Sequence, residues 1–168
     1  MAYQQHQTHS QDIVARCAIV TLSDTRTLEN DASGKRIADL LRDHGHDVMD
    51  RRLIPDDAAG FKAALNELLS RGNIDAILTT GGTGISRRDQ AIDVVEAALD
   101  SRLPGFGELF RMLSWEQIQS GAMLSRAVAG IARGKAVFAM PGSTAAVELA
   151  MTKLVLPELR HILHELRK

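Results

Sequence analysis

The stretch IDAILTTGGTGISRRD, Ile74 to Asp89, changes character at Thr80. IDAILTT is a short run of apolar and β-branched residues, the pattern of a strand covered on both faces. From Thr79 the next eleven positions hold three glycines, three threonines and a closing carboxylate, Asp89. DQAIDVVEAALD follows, with Ile92, Val95 and Leu99 along one side, which predicts a helix. A buried strand that passes through a glycine loop into a helix is the repeating unit of a mainly parallel sheet, because parallel strands need helical crossovers.

Working outward, the same alternation recurs. CAIVTL (Cys17 to Leu22) is another continuous apolar run, and Ser23 to Ser33 is polar and loop-like. Ile37, Leu40, Leu41 and His44 then recur at helical spacing until Gly45 supplies a stop. HDVMDRRLI (His46 to Ile54) reads as a strand. Pro55-Asp56-Asp57 is a break with acids suited to a helix start, and Phe61, Ala64, Leu65, Leu68 and Leu69 mark a helical face that ends at Gly72. Downstream, PGFG (Pro104 to Gly107) reads as a turn before a helix from Glu108 to about Gln119. Val128 to Ala132 and KAVFAM (Lys135 to Met140) read as strands joined at Arg133-Gly134, and the last segment is helical, broken or restarted at Pro157. The expected fold is α/β, a three-layer sandwich around a mainly parallel sheet, with residues 13–168 as one domain and residues 1–12 as a flexible tail. AVELAMTKLVLP (Ala146 to Pro157) is apolar enough to serve either the core or an interface.

Bulk properties narrow the function. A net charge of -1 and 24% charged residues imply no general affinity for nucleic acid or membranes. Aromatics are only 4%, too few for base-stacking platforms. Cys17 is the one cysteine, which excludes an internal disulfide framework and a cysteine-only zinc site and fits a reducing cytoplasm. The first residues carry no apolar signal-peptide core, and no run of about 18 apolar residues occurs.

In a parallel sheet, ligands bind beyond the carboxyl ends of the strands. Three segments fall there: Ser23-Asp24, the loop Thr80-Gly81-Gly82-Thr83-Gly84, and Pro141-Gly142-Ser143. Glycine adopts positive φ without penalty, so a glycine loop can aim successive N–H groups at an anion, and the following helix adds a favourable dipole. Asp89 would repel a phosphate unless a cation stood between them, and Mg²⁺, which takes a few carboxylate oxygens together with phosphates, resolves the conflict. The plainer alternative is a tight turn with Asp89 as a helix cap. Asp56 is the second candidate acid, with a helix N-cap as its plain alternative. Arg87 and Arg88 are solvated charge by default and phosphate partners if the loop binds one. No GxxxxGKS or GxxxxGKT is present, and GGTG lacks the GxGxxG spacing. His44 and His46 straddle a helix stop, His161 and His164 lie three apart on the last helix without a third ligand nearby in sequence, which leaves surface roles, and Cys17 reads as a buried strand residue.

Four blocks in order, TTGGTGISRRD, PGFGELFRML, LSRAVAGI and FAMPGST, resemble the MoaB/MogA family of molybdenum cofactor biosynthesis proteins, related to the G domain of gephyrin. The resemblance runs from about Ile19 to the end of the final helix. It implies a three-layer α/β fold, assembly into homotrimers or homohexamers, and molybdopterin as ligand. In the family's enzymes, molybdopterin and MgATP give adenylylated molybdopterin and pyrophosphate, a nucleotidyltransferase reaction. By that resemblance Gly81, Gly82, Thr83 and Gly84 match the phosphate loop, while Asp89 and Asp56 match two acids that would hold Mg²⁺. Ser23-Asp24, Ser125-Arg126 and Pro141 to Ser143 match further pocket segments, and Glu108 falls in a block without an assigned catalytic part.

The chain departs from the adenylyltransferase branch at one point. That branch carries LPGQPKS where this chain reads MPGSTAA, so Ala145-Ala146 stand where a lysine or polar contact is expected. RMLSW, SRAVAGI and MPGST lean towards MoaB, while RRD follows the catalytic pattern. The resemblance therefore implies an adenylyltransferase or, as the alternative, a non-catalytic oligomeric molybdopterin-binding or scaffold protein.

Overall fold

Six strands make one sheet: β1 (Arg16–Leu22), β2 (Asp47–Ile54), β3 (Ala76–Thr80), β4 (Ser101–Arg102), β5 (Val128–Ala132) and β6 (Lys135–Met140), in the order β2-β1-β3-β6-β5-β4. The computed structural model describes residues 12–168, so the expected tail, residues 1–12, lies outside the described residues except for Asp12. Strands β2, β1, β3 and β6 are parallel, whereas β5 runs antiparallel to both β6 and β4. The helices are α1 (Ala32–Asp43), α2 (Ala58–Ser70), α3 (Ala91–Ala98), α4 (Pro104–Ile118), α5 (Thr144–Ala150) and α6 (Leu156–Leu166).

Period-two alternation splits the core between the two faces of the sheet. Cys17 and Ile19 of β1 pack with Phe138 and Met140 of β6 under α1, α4, α5 and α6, where Ile37, Leu41, Phe110 and Leu159 are buried. Ala18, Val20 and Leu22 face the other way, with Ile77 and Val137, under Phe61, Leu65 and Leu68 of α2 and Val95 of α3. Each fully buried side chain of this size contributes roughly 1.5–3 kcal/mol. The result is the expected three-layer sandwich. The apolar segment from Ala146 belongs mainly to this core, since Val147, Ala150, Met151 and Val155 are fully buried.

One local reading changes, and others are refined. PGFG is the first turn of α4 rather than a turn before it, with Pro104 at the start, where a missing N–H costs nothing. Phe106 is held there by its ring, edge-on to Phe138 at 5.5 Å between centroids, a contact invisible to local sequence. Beyond α4 the chain passes through a 3₁₀ segment, Gln119–Leu124. Pro157 restarts the final helix: a π turn, Met151–Val155, joins α5 to α6, which opens one residue before the proline. Arg133 and Gly134 both have positive φ, 48° and 72°, as a two-residue hairpin turn between β5 and β6 requires.

The topology places the site. From β1 the chain moves to β2 on one side, with α1 on one face, and returns to β3 on the other side, with α2 on the opposite face. The connections diverge between the carboxyl ends of β1 and β3, which opens a crevice there.

Candidate functional site

The three strand-end segments converge at this crevice. Gly81 donates its N–H to the Met140 carbonyl at 3.1 Å, and the Thr80 hydroxyl donates to the Pro141 carbonyl at 2.9 Å. Gly81 has φ of +97°, and a β-carbon there would stand 2.3 Å from the Leu22 carbonyl oxygen, so only glycine fits. Gly142 lies against Gly81: its β-carbon would meet the Gly81 Cα at 3.2 Å. Ser23 N–H donates to the Ile54 carbonyl at 3.0 Å and ties the end of β1 to that of β2.

Both acids lie over the glycine loop. A β-carbon on Gly82 would stand 2.8 Å from Oδ1 of Asp56, and one on Gly84 would stand 2.6 Å from Oδ2 of Asp89. The plain alternative for Asp56 falls away, because the N-cap of α2 is its neighbour Asp57, whose carboxylate accepts from Gly60 N–H at 2.6 Å. The plain alternative for Asp89 also falls away: α3 is preceded by Gln90, with no side-chain cap. Asp89 instead accepts from Ser86 N–H at 2.9 Å, while its own N–H donates to the Ser86 carbonyl at 3.1 Å. The Asp56 carboxyl is pushed up, first by burial and then by the negative charges of Asp89 and Asp24. The hydrogen bonds from Ser86, followed by the field of Arg126, hold Asp89 below the usual carboxylate range.

Two carboxylates whose charges repel across a glycine loop suit a divalent cation, which would complete its shell with phosphate oxygens and water. The donor set is therefore compatible with Mg²⁺ held by Asp56 and Asp89. Among the described residues no group of three or more His, Cys, Asp or Glu side chains could hold a metal alone, so His161 and His164 form no such site.

The arginines divide sharply. Arg126 points its guanidinium at the main chain of the loop, donating to the carbonyls of Gly84 at 3.0 Å, Thr83 at 3.4 Å and Asp89. It reaches the rim because β5 is antiparallel, so the residues that enter β5 sit beside the residues that leave β6. Arg88 pairs with Asp24, whose other carboxylate oxygen accepts from Asp56 N–H at 3.0 Å. Arg87 is exposed and lines a cavity of about 980 Å³ that adjoins Ser86 and Asp89. Ser125 buries a hydroxyl without a partner among the described residues and borders a smaller cavity of about 450 Å³. Ser143 caps α5 by accepting from Ala146 N–H at 3.2 Å.

Sequence reasoning missed Arg26, which donates to the Gly142 carbonyl at 3.2 Å and to the Ser33 hydroxyl at 2.8 Å and so braces the third segment of the rim. No spacing marks one arginine in a polar loop. Behind it, Asp31 is fully buried yet charged. Burial acts against that charge, but hydrogen bonds from Gly34 N–H, the Thr21 hydroxyl and Arg51 outweigh it and hold the carboxyl below its ordinary range.

Known proteins resemble this chain along nearly its whole described length. Residues 18–161 match the family model described as a probable molybdopterin binding domain. The chain is 47% identical over 169 residues to molybdenum cofactor biosynthesis protein B of Halalkalibacterium halodurans, covering 100% of this chain and 99% of that one. A crystal structure of molybdenum cofactor biosynthesis protein B superposes with a TM-score of 0.90 at 50% identity, covering 92% of this chain and 97% of the other. The tungsten cofactor synthesizing protein MoaB from Pyrococcus furiosus superposes at 0.83 with 35% identity, covering 92% and 98%.

Proposed function

The chain belongs to the MoaB/MogA family of molybdenum cofactor biosynthesis proteins, and from that premise we propose that it adenylylates molybdopterin with MgATP and releases pyrophosphate. The observation that carries this reading is the placement of Asp56 and Asp89 over neighbouring glycines of one loop. A molecule that merely bound molybdopterin, itself a phosphate-bearing anion, would gain nothing from two repelling acids there.

The reaction joins two phosphates. An oxygen of the molybdopterin phosphate attacks the α-phosphorus of ATP, the new P–O bond forms as the bond to the β-phosphate oxygen breaks, and pyrophosphate leaves in line. Such transfer asks the protein mainly for alignment and for neutralisation of charge. No general base is required, because a phosphate nucleophile is already ionised near neutral pH. Asp56 and Asp89 would hold Mg²⁺, which supplies charge neutralisation to the nucleotide phosphates when bound. The N–H groups of Gly82 and Thr83 would meet phosphate oxygens, and Arg126 keeps that loop in shape. Pro141 to Ser143 close the rim opposite.

Purified protein incubated with molybdopterin, ATP and Mg²⁺ should release pyrophosphate and form the adenylylated pterin. Asp89→Ala should abolish release while pterin binding persists; full turnover in that variant would refute the assignment. One observation favours the alternative, a molybdopterin-binding or scaffold protein without catalysis: the first turn of α5 presents Thr144, Ala145 and Ala146 and no charged contact. Pterin binding without pyrophosphate release in the wild type would establish that alternative.

Assembly into a homotrimer or homohexamer is supported by α4 and the 3₁₀ segment, which expose Met112, Trp115, Ile118 and Met123 by 54% or more. Light scattering should give a mass three or six times that of the chain. Among the described residues no helix is long and apolar enough to cross a membrane, and a cytoplasmic location is part of the proposal.

A further inference from the structure

Asp24 lies in the loop that leaves β1, and its two carboxylate oxygens have different partners. Oδ1 accepts from the main-chain N–H of Asp56 at 3.0 Å, while Oδ2 pairs with the guanidinium of Arg88. One side chain thus joins three parts of the rim: the end of β1, the segment after β2 that carries Asp56, and the turn after the glycine loop that carries Asp89.

The two contacts differ in how firmly they hold. The backbone of Arg88 is fixed, since its N–H donates to Ser86 Oγ at 3.3 Å and its carbonyl accepts from Gln90 N–H at 2.9 Å. Its side chain is 73% exposed, and an ion pair in that setting holds only weakly. Arg88 can therefore leave Asp24 without disturbing the turn that carries Asp89. The bond to Asp56 N–H, by contrast, sets where the main chain of that acid lies.

Three carboxylates, those of Asp24, Asp56 and Asp89, share this corner. The charges of Asp89 and Asp24 act together on Asp56, and Arg88 opposes them. Arg126 spends its donors on the loop carbonyls and pairs with Asp93 at 3.5 Å. Among the described residues Arg88 is thus the one cation in an ion pair with any of the three acids. A divalent cation held by Asp56 and Asp89 would draw on the same negative field, so the two positive charges disfavour each other.

We infer that Asp24 is a positioning residue for the metal-holding acids: one oxygen fixes Asp56, and the other parks Arg88 as a resident counter-ion that competes with the divalent cation. The inference rests on the reading of Asp56 and Asp89 as Mg²⁺ ligands. The competition is reciprocal, because if Arg88 weakens the cation by some factor, the cation loosens Arg88 by the same factor. An arriving metal therefore frees a guanidinium beside the glycine loop, where a phosphate is its strongest alternative partner. Metal first and phosphate second is the order this favours.

Mn²⁺, which shares the octahedral oxygen coordination of Mg²⁺, is the probe, added without nucleotide or pterin, with the free ion counted by electron paramagnetic resonance. Arg88→Ala should tighten Mn²⁺ binding about fivefold or more, the lower end of couplings between sites. Arg87→Ala removes the same charge one residue away but no ion pair, and should change the affinity by less than about twofold, as a screened surface charge does. Asp24→Ala should bind Mn²⁺ about fivefold or more weakly than Asp24→Asn; both lose the charge and the Arg88 pair, but only asparagine offers Oδ1 to Asp56 N–H. Wild-type or weaker affinity in Arg88→Ala, or equal tightening in Arg87→Ala, overturns the counter-ion. Equal affinity in the two Asp24 variants overturns the positioning, and absence of Mn²⁺ binding in every protein overturns both. Pyrophosphate release by the wild type decides the adenylyl-transfer reading separately. Release alongside any of the overturning results leaves that reading standing without the inference, whereas the expected Mn²⁺ pattern without release leaves the inference standing without that reading.

Discussion

Gly82 and Asp56 are fitted to each other: a β-carbon on the glycine would stand 2.8 Å from the carboxylate oxygen, and Gly82 holds φ of +63°. The bareness of the loop therefore has two causes. Positive φ lets its N–H groups converge, and missing side chains leave room for two acids to lie over the backbone. Gly82→Ala should cost about 1–2 kcal/mol from its left-handed backbone and also displace Asp56. The expected outcome is a folded protein whose Mg²⁺-dependent MgATP affinity falls roughly tenfold while pterin binding persists. Gly72→Ala is the control, because nothing lies within 4 Å of its β-carbon position. Equal nucleotide affinity in both variants would remove the acid from its assigned place.

Arg126 offers a second test. Its guanidinium serves the carbonyls of Thr83, Gly84 and Asp89, so it shapes the loop from behind and has little left for a ligand. Arg126→Ala should destabilise the fold by about 1–3 kcal/mol, and amide exchange should accelerate selectively over residues 83–89. Unchanged exchange in the loop together with a loss of pterin affinity would return Arg126 to the ligand contacts that the sequence resemblance implied.

The rim was legible because it follows from strand order alone: once CAIVTL, IDAILTT and KAVFAM are parallel, Ser23, Gly81 and Pro141 must share an edge. Periodicity also placed α1, α2 and α3, since their buried faces recur within single helices. Contacts between distant segments left no such trace. PGFG carries the local chemistry of a turn, and only the packing of Phe106 on Phe138 draws it into α4. The two-residue strand β4 is exposed and has no pattern to read. For Pro55-Asp56-Asp57, the helical face of Phe61, Leu65 and Leu68 fixes the phase of α2 but not its first residue. Which aspartate caps the helix, and which remains for the site, emerged only from the backbone.

The buried Asp31 supports the rim from beneath, through Thr21 at 2.8 Å, Arg51 at 3.0 Å and the N-terminal N–H of Gly34 at 3.0 Å. Asp31→Ala leaves the buried Thr21 hydroxyl without its acceptor and takes from Arg51 its carboxylate, leaving it only the Leu28 and Asp31 carbonyls, and the stability loss should be about 3–5 kcal/mol. Asp31→Asn keeps an acceptor for the cap and should lose less. Urea unfolding of the two variants gives the comparison; a loss below about 1 kcal/mol in the alanine variant would be within reach of a lone cap and would show that the network adds nothing.

His46 gives the fold a pH dependence of its own. The residue is buried, and its Nδ1 accepts from Ala15 N–H at 3.1 Å, which requires a neutral ring with the proton on Nε2. Burial, reinforced by the positive charges of Arg160 and His44, lowers its pKa from 6.5 to about 4. Because the folded value lies below the unfolded one, the unfolded chain binds the extra proton between these limits. Stability from this group is therefore complete above pH 6.5 and is lost as pH falls through 4, by an amount on the order of 2–3 kcal/mol. His46→Asn keeps an acceptor near the Nδ1 position and cannot titrate. Between pH 7 and 4.5 the wild type should lose more unfolding free energy in urea than the variant does, and comparing the two cancels the carboxylates common to both. Parallel losses would mean that His46 can take up a proton without opening the fold, which its contact with Ala15 N–H does not allow.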